Sequence, residues 1–402
     1  MDPVLPLRGL RILSAEQYGA GPFGSMQLAD LGAEVIKIEN PREGGDVSRQ
    51  TGPYFLSGDA ASPDSQFFQS FNRNKKSLTL DLKSKAGQEV LKRLAGTCHA
   101  VMNNLRGDQP QKLGLDYAAL SAANPALVCA HLSAYGRDNE RTDWPGYDYL
   151  MQAEAGYLHL TGEPEGPPAR MGLSMVDYMT GTTTAMALLA GVFGAQRSGR
   201  GCDLDISLFD VALAQLTYPA SWYLNAGHRT ERLAPSAHPS AVPCQLVRAQ
   251  DGWVFVMCMT PKFWRALCEG LGRADWLEDA RLCTPESRRA HRELLSGWLD
   301  EAFGAHPVQY WMTTFGGRLP IAPVLDLPQA MNNPFVQRIG MVQELPHPAL
   351  PEHRVLASPV RVDGQRLPGR VCSALGADTE VLLREVGYST ADMEHLLKDG
   401  VI

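Results

Sequence analysis

Apolar positions fall into two rhythms along the first third of the chain. Leu10-Arg11-Ile12-Leu13, Ala33 to Glu39, Ala100 to Asn104 and Leu127 to Leu132 are short apolar runs of strand length. Ser77 to Leu82 keeps a clean period of two and predicts a further strand. Between them, Ser25 to Leu31, closed by Gly32, and Lys85 to Leu94 carry helical spacing. Strands alternating with helices predict an α/β fold built on a Rossmann-like, mostly parallel sheet.

The pattern changes twice further on. Asp148 to about Asn225 reads as helix-rich. From Ala226, a loop at Ala237 to Pro243 leads to an apolar strand, Gly252 to Met259, entered through the hairpin-turn pair Asp251-Gly252. Lys262 to Gly270 and Ser287 to Phe303 read as helices. Near the end, Arg354 to Leu356 and Val360 to Val362 read as strands, and Thr379 to Glu385 and Thr390 to Lys398 as helices. These shifts divide the chain into a large domain over 1–225, a smaller α+β domain over 226–325, and a tail over 326–402 that returns to the first.

Composition narrows the class. At 402 residues, 44% hydrophobic and 20% charged, the chain has the make-up of a globular protein. Its net charge of -7 argues against bulk binding of nucleic acid. No apolar run reaches membrane-spanning length, and Met1 to Pro6 shows no export signal. The eight cysteines form no Cys-x-x-Cys pair and have no His at metal spacing, so we expect no metal site and a reducing, cytoplasmic setting.

Three features carry candidate chemistry. Met171 to Gly181 places a lone carboxylate, Asp177, at the end of a short strand-like run, just before a helix of small residues. Such a residue either caps the helix or is aimed into a crevice. Gly19-Ala20-Gly21-Pro22-Phe23-Gly24 is a G-x-G-x-x-G between a strand and a helix, with Glu39 ending the next strand 20 residues after Gly19. That context suits a dinucleotide, hence an NAD-dependent oxidoreductase, but also any phosphate-bearing ligand. Finally, Asn72-Arg73-Asn74-Lys75-Lys76 precedes the third strand, and Arg106 and Lys112 follow the fourth. Cations at successive strand ends predict an electropositive rim for a phosphate-rich ligand.

With these residues in view, the chain resembles the class III coenzyme A transferases of the formyl-CoA, carnitine and bile-acid type. The likeness runs through Pro6 to Leu13, Ala20-Gly21-Pro22 with Leu31 to Glu39, Phe71 to Lys83, Gly172 to Gly181, and Arg197 to Gly201 with Asp205 to Asp210; Gly252-Trp253 extends it. The resemblance implies that Asp177 is the catalytic nucleophile. It implies an acyl-CoA substrate, with no prosthetic group, held by Gly19, Ala20, Asn72, Arg73, Asn74, Lys75, Asn104, Leu105, Arg106, Lys112, Leu132, Ser133, Ala134 and Tyr135. It also implies an interlocked homodimer. Gly19 stands where formyl-CoA transferases have Gln, Asn40 where they have Arg, and Ala237 to Pro243 replaces their glycine-rich loop, so formyl-CoA and oxalate are poor candidates as substrates.

The superfamily also contains α-methylacyl-CoA racemases, which work through a Gly-His-Asp tripeptide. Here the tripeptide is Gly146-Tyr147-Asp148. A tyrosine, with an ordinary pKa of about 10, is a poor proton shuttle near neutrality. His159 lies further on, at a position where a helix-face His is usually structural. The sequence therefore favours CoA transfer over racemisation.

Overall fold

The computed structural model describes residues 4–59 and 65–402; the first three residues of the N-terminal stretch read for an export signal lie outside them. The chain divides into two compact units. One comprises residues 1–155, 172–216 and 334–402, the other 156–171 and 217–333.

Among the described residues, the first unit is centred on a parallel six-stranded sheet of order β3-β2-β1-β4-β5-β6. The strands are β1 (Arg11–Ala15), β2 (Glu34–Glu39), β3 (Lys76–Thr79), β4 (Ala100–Asn103), β5 (Val128–Ser133) and β6 (Cys202–Ser207). Side chains alternate across the sheet as the strand period requires. Leu13, Ile36, Val101 and Cys129 face a core shared with the helix Lys85–Ala95 and the C-terminal helices Thr379–Glu385 and Thr390–Lys398. Ile12, Val35, Met102 and Val128 face a second core, filled by the helices Ala20–Asp30 and Met175–Ser198. Covered on both faces, the strands can be apolar almost throughout, which is why they read as unbroken apolar runs. Asp378 and Thr379 tie the C-terminal tail to β3, accepting hydrogen bonds from the Ser77 and Thr79 amides at 2.8 and 3.0 Å.

Three local readings need correction. The stretch before Asp177 contains no strand: residues 171–174 are irregular, and Asp177 lies in the first turn of the long helix Met175–Ser198. Its threonines do not break the helix, because Thr180 and Thr184 return their hydroxyls to the carbonyls of Val176 and Thr180 at 2.7 and 2.8 Å. The helix-rich middle also contains β6, whose alternating polar face, Cys202-Asp203-Leu204-Asp205, hid it from an apolar-run criterion.

Helix Ala20–Asp30 begins five residues earlier than its spacing suggested, with Gly19 as N-cap. Its glycines serve one contact. A Cβ on Gly24 would lie 2.4 Å from the Gly181 carbonyl oxygen, and one on Gly181 would lie 2.4 Å from that of Ala20. The two helices therefore cross backbone to backbone, and any side chain there would hold them apart.

The second unit packs the antiparallel strands β7 (Cys244–Arg248), β8 (Trp253–Met257) and β9 (Ile321–Pro323) with helices around a tryptophan-rich core. Trp276 stacks between Trp264 and Trp298 with ring centres 6.2 and 5.6 Å away. The hairpin turn read at Asp251-Gly252 joins β7 to β8.

The crossing makes a direct prediction. Gly24→Ala should lower stability by about 1–3 kcal/mol through overpacking. Gly194→Ala, on the same long helix with nothing within 4 Å of its Cβ position, should be neutral or gain up to about 1 kcal/mol. Urea unfolding of the two variants beside the wild type checks both.

Candidate active site

The strand order reverses between β1 and β4, so the segments leaving them diverge and open a crevice at their carboxyl ends. Asn104, just after β4, closes the floor of that crevice. Its side chain accepts from the Gln17 amide at 2.8 Å and donates to the Gln17 carbonyl at 2.6 Å, as a neighbouring strand would. Tyr18 is thereby held in the left-handed region, at φ 68°, with its amide on Asp46 at 3.3 Å. A non-glycine residue persists in that conformation only where its surroundings impose it.

A buried charge network lies directly beneath this turn. Lys75 Nζ donates to Glu16 at 2.7 Å, to Asn72 at 2.8 Å and to the Pro22 carbonyl at 2.9 Å. Lys37 pairs with Asp46 at 2.7 Å and donates to the Glu16 carbonyl at 2.9 Å. Arg49 grips Glu39 with two 2.7 Å bonds. The three acids and three bases are all buried. Burial alone would raise the carboxyls of Glu16, Glu39 and Asp46, yet the adjacent cations hold all three below the usual range. Burial brings Lys75 down to about 8 in spite of Glu16.

This network decides between two readings of the sequence. Glu39 already accepts from Arg49, Ser77 and the Asp46 amide, so it has no capacity left for a ribose hydroxyl, which the dinucleotide reading of the G-x-G-x-x-G requires. The rim expected of Asn72 to Lys75 is not formed by those side chains. Asn72 and Lys75 turn into the network, and Arg73 and Asn74 bind Asp30, with Asn74 also accepting from the Arg370 amide. Their polarity marks an internal scaffold, because a buried cation needs partners on every side.

Asp177 sits in the first turn of the long helix. The helix crossing brings it over the turn after β1, where a Cβ on Gly19 would lie 2.5 Å from its Oδ2. Asp177 does not cap its helix. Ser174, at the N-cap position, makes no side-chain cap bond, and the Asp177 amide donates instead to Asp148 at 2.9 Å. Asp148 is buried and also accepts from Gln152 at 2.5 Å. A helix N-terminus ordinarily favours a carboxylate. Here burial, reinforced by the Asp148 charge, pushes the Asp177 carboxyl up to about 7.

The cleft over Asp177 has a volume of about 430 Å³. It brings together Gly19, Ala20, Asn104, Leu105, Arg106, Leu132, Ser133 and Ala134 with Asp177. Lys112 and Tyr135 instead line an adjoining hollow of about 790 Å³; Lys112 pairs with Asp108 at 2.6 Å and Tyr135 donates to Glu154 at 2.8 Å. Tyr18, Trp144 and Tyr147 also line the cleft; nothing in the sequence pattern marks the first two, and Tyr147 stands out there only as the residue in place of a racemase histidine. Tyr147 occupies the place where a racemase would need its histidine, edge-on to Tyr18 at 6.3 Å. His159 is exposed in the second unit and pairs with Glu231 at 3.2 Å. Asp148 was within reach of the sequence, in Gly146-Tyr147-Asp148, but that tripeptide was weighed for its second residue and not its third. Among the described residues, no group of three or more His, Cys, Asp or Glu could hold a metal ion, and no helix is long and apolar enough to cross a membrane.

Comparison with known proteins gives the family. The family model of CoA-transferase family III matches residues 7–379. The chain is 31% identical over 404 residues to mouse succinyl-CoA:glutarate CoA-transferase, covering 100% of this chain and 91% of that protein. It is 30% identical over 364 residues to acetyl-CoA:oxalate CoA-transferase of Acetobacter aceti, covering 90% of each. The crystal structure of Rv3272 from Mycobacterium tuberculosis superposes with a TM-score of 0.82 at 28% identity, over 95% of this chain and 100% of that one. The chain belongs to CoA-transferase family III and is a CoA-transferase, an enzyme whose substrates are CoA thioesters.

The raised carboxyl has a stability consequence. Asp177 keeps its proton to about pH 7 when folded and to about pH 4 when unfolded. Between those values the folded state binds the extra proton, so its stability falls as pH rises through the window. Asp177→Asn removes this loss. Its unfolding midpoint should match the wild type at pH 4 and exceed it at pH 8, by about 1–4 kcal/mol at most. Urea unfolding at the two pH values measures the gap.

Proposed function

We propose that the protein moves coenzyme A from an acyl-CoA donor to a carboxylic acid acceptor, with Asp177 as the covalent nucleophile. The observation that carries this reading is the Asp177 carboxylate, held against the glycine turn in a cleft at the sheet's switch point. An Asp177 oxygen attacks the donor's thioester carbon, the C–S bond breaks, and CoA thiolate leaves behind a mixed anhydride. The thiolate then attacks the Asp177 carboxyl carbon, the anhydride C–O bond breaks, and the donor acid departs, leaving an aspartyl-CoA thioester. The acceptor carboxylate attacks the carbonyl carbon of that thioester, its C–S bond breaks, and CoA thiolate leaves behind the acceptor's own anhydride with Asp177. Thiolate returns to the acceptor's acyl carbon, releasing the new acyl-CoA and the free carboxylate. Every bond broken is matched by one formed, and no step transfers a proton.

The surroundings fit these steps. No side chain caps helix Ala20–Asp30; Pro22 has no N–H and the Phe23 amide bonds the Gly19 carbonyl at 2.9 Å, which leaves the Ala20 and Gly21 amides to stabilise the oxyanions. Leu105, Arg106 and the Leu132 to Ala134 segment give the pantetheine and phosphate parts of CoA a wall to lie on. The donor and acceptor are best sought among short dicarboxylic acids, since the related mouse enzyme is named for succinyl-CoA and glutarate. Racemisation would need a histidine where Tyr147 stands.

The reading is tested at residue 177. Asp177→Asn should bind CoA, seen as a raised thermal midpoint with CoA and none with NAD, yet transfer no CoA from succinyl-CoA to glutarate. Hydroxylamine trapping during wild-type turnover should label residue 177 by peptide mass. An Asn variant that transfers at the wild-type rate would end the proposal.

We further infer a homodimer. Met186 and Phe193, two turns apart on the long helix, stand 66% and 62% exposed, an apolar stripe that suits burial against a second copy. Sedimentation at micromolar concentration should give twice the 43.9 kDa chain mass; a single-chain mass would refute it.

A further inference from the structure

The long helix lacks a cap of its own, and a residue from another element supplies one. Asp148 begins the helix Asp148–Glu154. Its Oδ2 accepts the Asp177 amide at 2.9 Å and its Oδ1 accepts from Gln152 at 2.5 Å. One carboxylate thus fixes the peptide that carries the nucleophile while placing a second negative charge beside it. We propose that Asp148 is a positioning residue for Asp177, holding the nucleophile's main chain and, through its charge, favouring the acylated, uncharged state of that side chain. The proposal rests on the assignment of Asp177 as nucleophile made above.

The physical argument concerns what acylation does to charge. Two carboxylates in a buried site repel, and burial penalises each. When Asp177 becomes an anhydride or thioester it loses its charge, and the repulsion ends. The free enzyme is raised in energy relative to its covalent intermediates, which is the difference a nucleophilic catalyst needs. The same repulsion keeps the free carboxylate basic and therefore nucleophilic; the Asp177 carboxyl is pushed up to about 7, by burial first and by Asp148 second. The other groups facing this site come from separate elements. They include Tyr18 in the turn after β1, Tyr147 ahead of the Asp148 helix, Tyr149 within it, Tyr178 on the long helix, and Arg106 in the cleft wall, whose guanidinium donates to the Asp143 carbonyl at 3.1 Å. Asp148 is the group whose charge acts on the Asp177 carboxyl.

Asp148→Asn separates the two roles, because the amide keeps an oxygen for the Asp177 amide and loses the charge. The variant should fold and bind CoA as the wild type does. The acid limb of its pH–kcat/KM profile should move down by about one pH unit. The fraction of enzyme trapped by hydroxylamine at saturating succinyl-CoA should fall several-fold. Asp148→Ala, which also removes the cap, should lose thermal stability in addition. An Asp148→Asn enzyme with the wild-type pH profile and trapped fraction would overturn the proposal. Should that variant fail to fold, Asp148→Ser, which keeps a hydroxyl acceptor for the Asp177 amide and carries no charge, takes its place under the same two readouts and the same overturning result. If Asp177→Asn still transferred CoA, the nucleophile assignment would fall; a wild-type pH profile and trapped fraction in the Asp148 variant beside an inactive Asp177→Asn would overturn the Asp148 role alone.

Discussion

The site depends on one close approach. Helix Ala20–Asp30 and helix Met175–Ser198 meet through Gly24 and Gly181, where neither backbone has room for a Cβ. This contact sets how far the long helix can advance over the sheet, and so where its first turn ends. Asp177 lies in that turn, one helical turn ahead of Gly181, and arrives over Gly19. A bulkier residue at the crossing would push the helices apart and withdraw the carboxylate from the turn it must face. The G-x-G-x-x-G motif is thus chiefly a packing device: Gly24 meets the long helix, Gly19 meets Asp177, and Gly21 meets the Asn104 side chain.

A second constraint keeps the other half of the site in place. The turn after β1 carries Tyr18 in an unfavourable conformation, and nothing local would hold it there. Asn104 pins it from above β4, and the buried ions Glu16, Lys37, Lys75 and Asp46 pin it from beneath. Paired in this way, buried charges contribute little net stability but tolerate few alternative arrangements. Rigidity at this turn suits the anhydride route proposed for the enzyme, where a displaced oxyanion donor would cost rate and a loosened floor would admit water.

Function and stability oppose each other at Asp177. The buried carboxylate is a poor core residue, disfavoured by desolvation and by Asp148. The fold tolerates it because the surrounding helices are held by contacts that do not involve it. A carboxylate that is electrostatically strained when free, and would be relieved of that strain when acylated, suits the nucleophilic role proposed for it.

Much of this was legible in the sequence. The strand–helix alternation, the two C-terminal helices and the hairpin at Asp251-Gly252 follow from period and turn chemistry, which act over a few residues. Asp177 stood out in the sequence as a lone carboxylate, but its place in the fold did not follow from it: the apolar residues before it, Leu173, Met175 and Val176, suit a strand or a helix start equally, and the bond from Asp148 that fixes its peptide comes from 29 residues away. Asn72 to Lys75 could not be read at all from local pattern, because a cation on a rim and a cation in a buried network look the same until the chain is folded. Composition and periodicity determined most of the elements of the first sheet and the faces they bury, though not β6 or the start of the long helix. Only the tertiary structure decided which polar groups meet, since hydrogen bonds and ion pairs form across hundreds of residues and depend on distances no linear pattern contains.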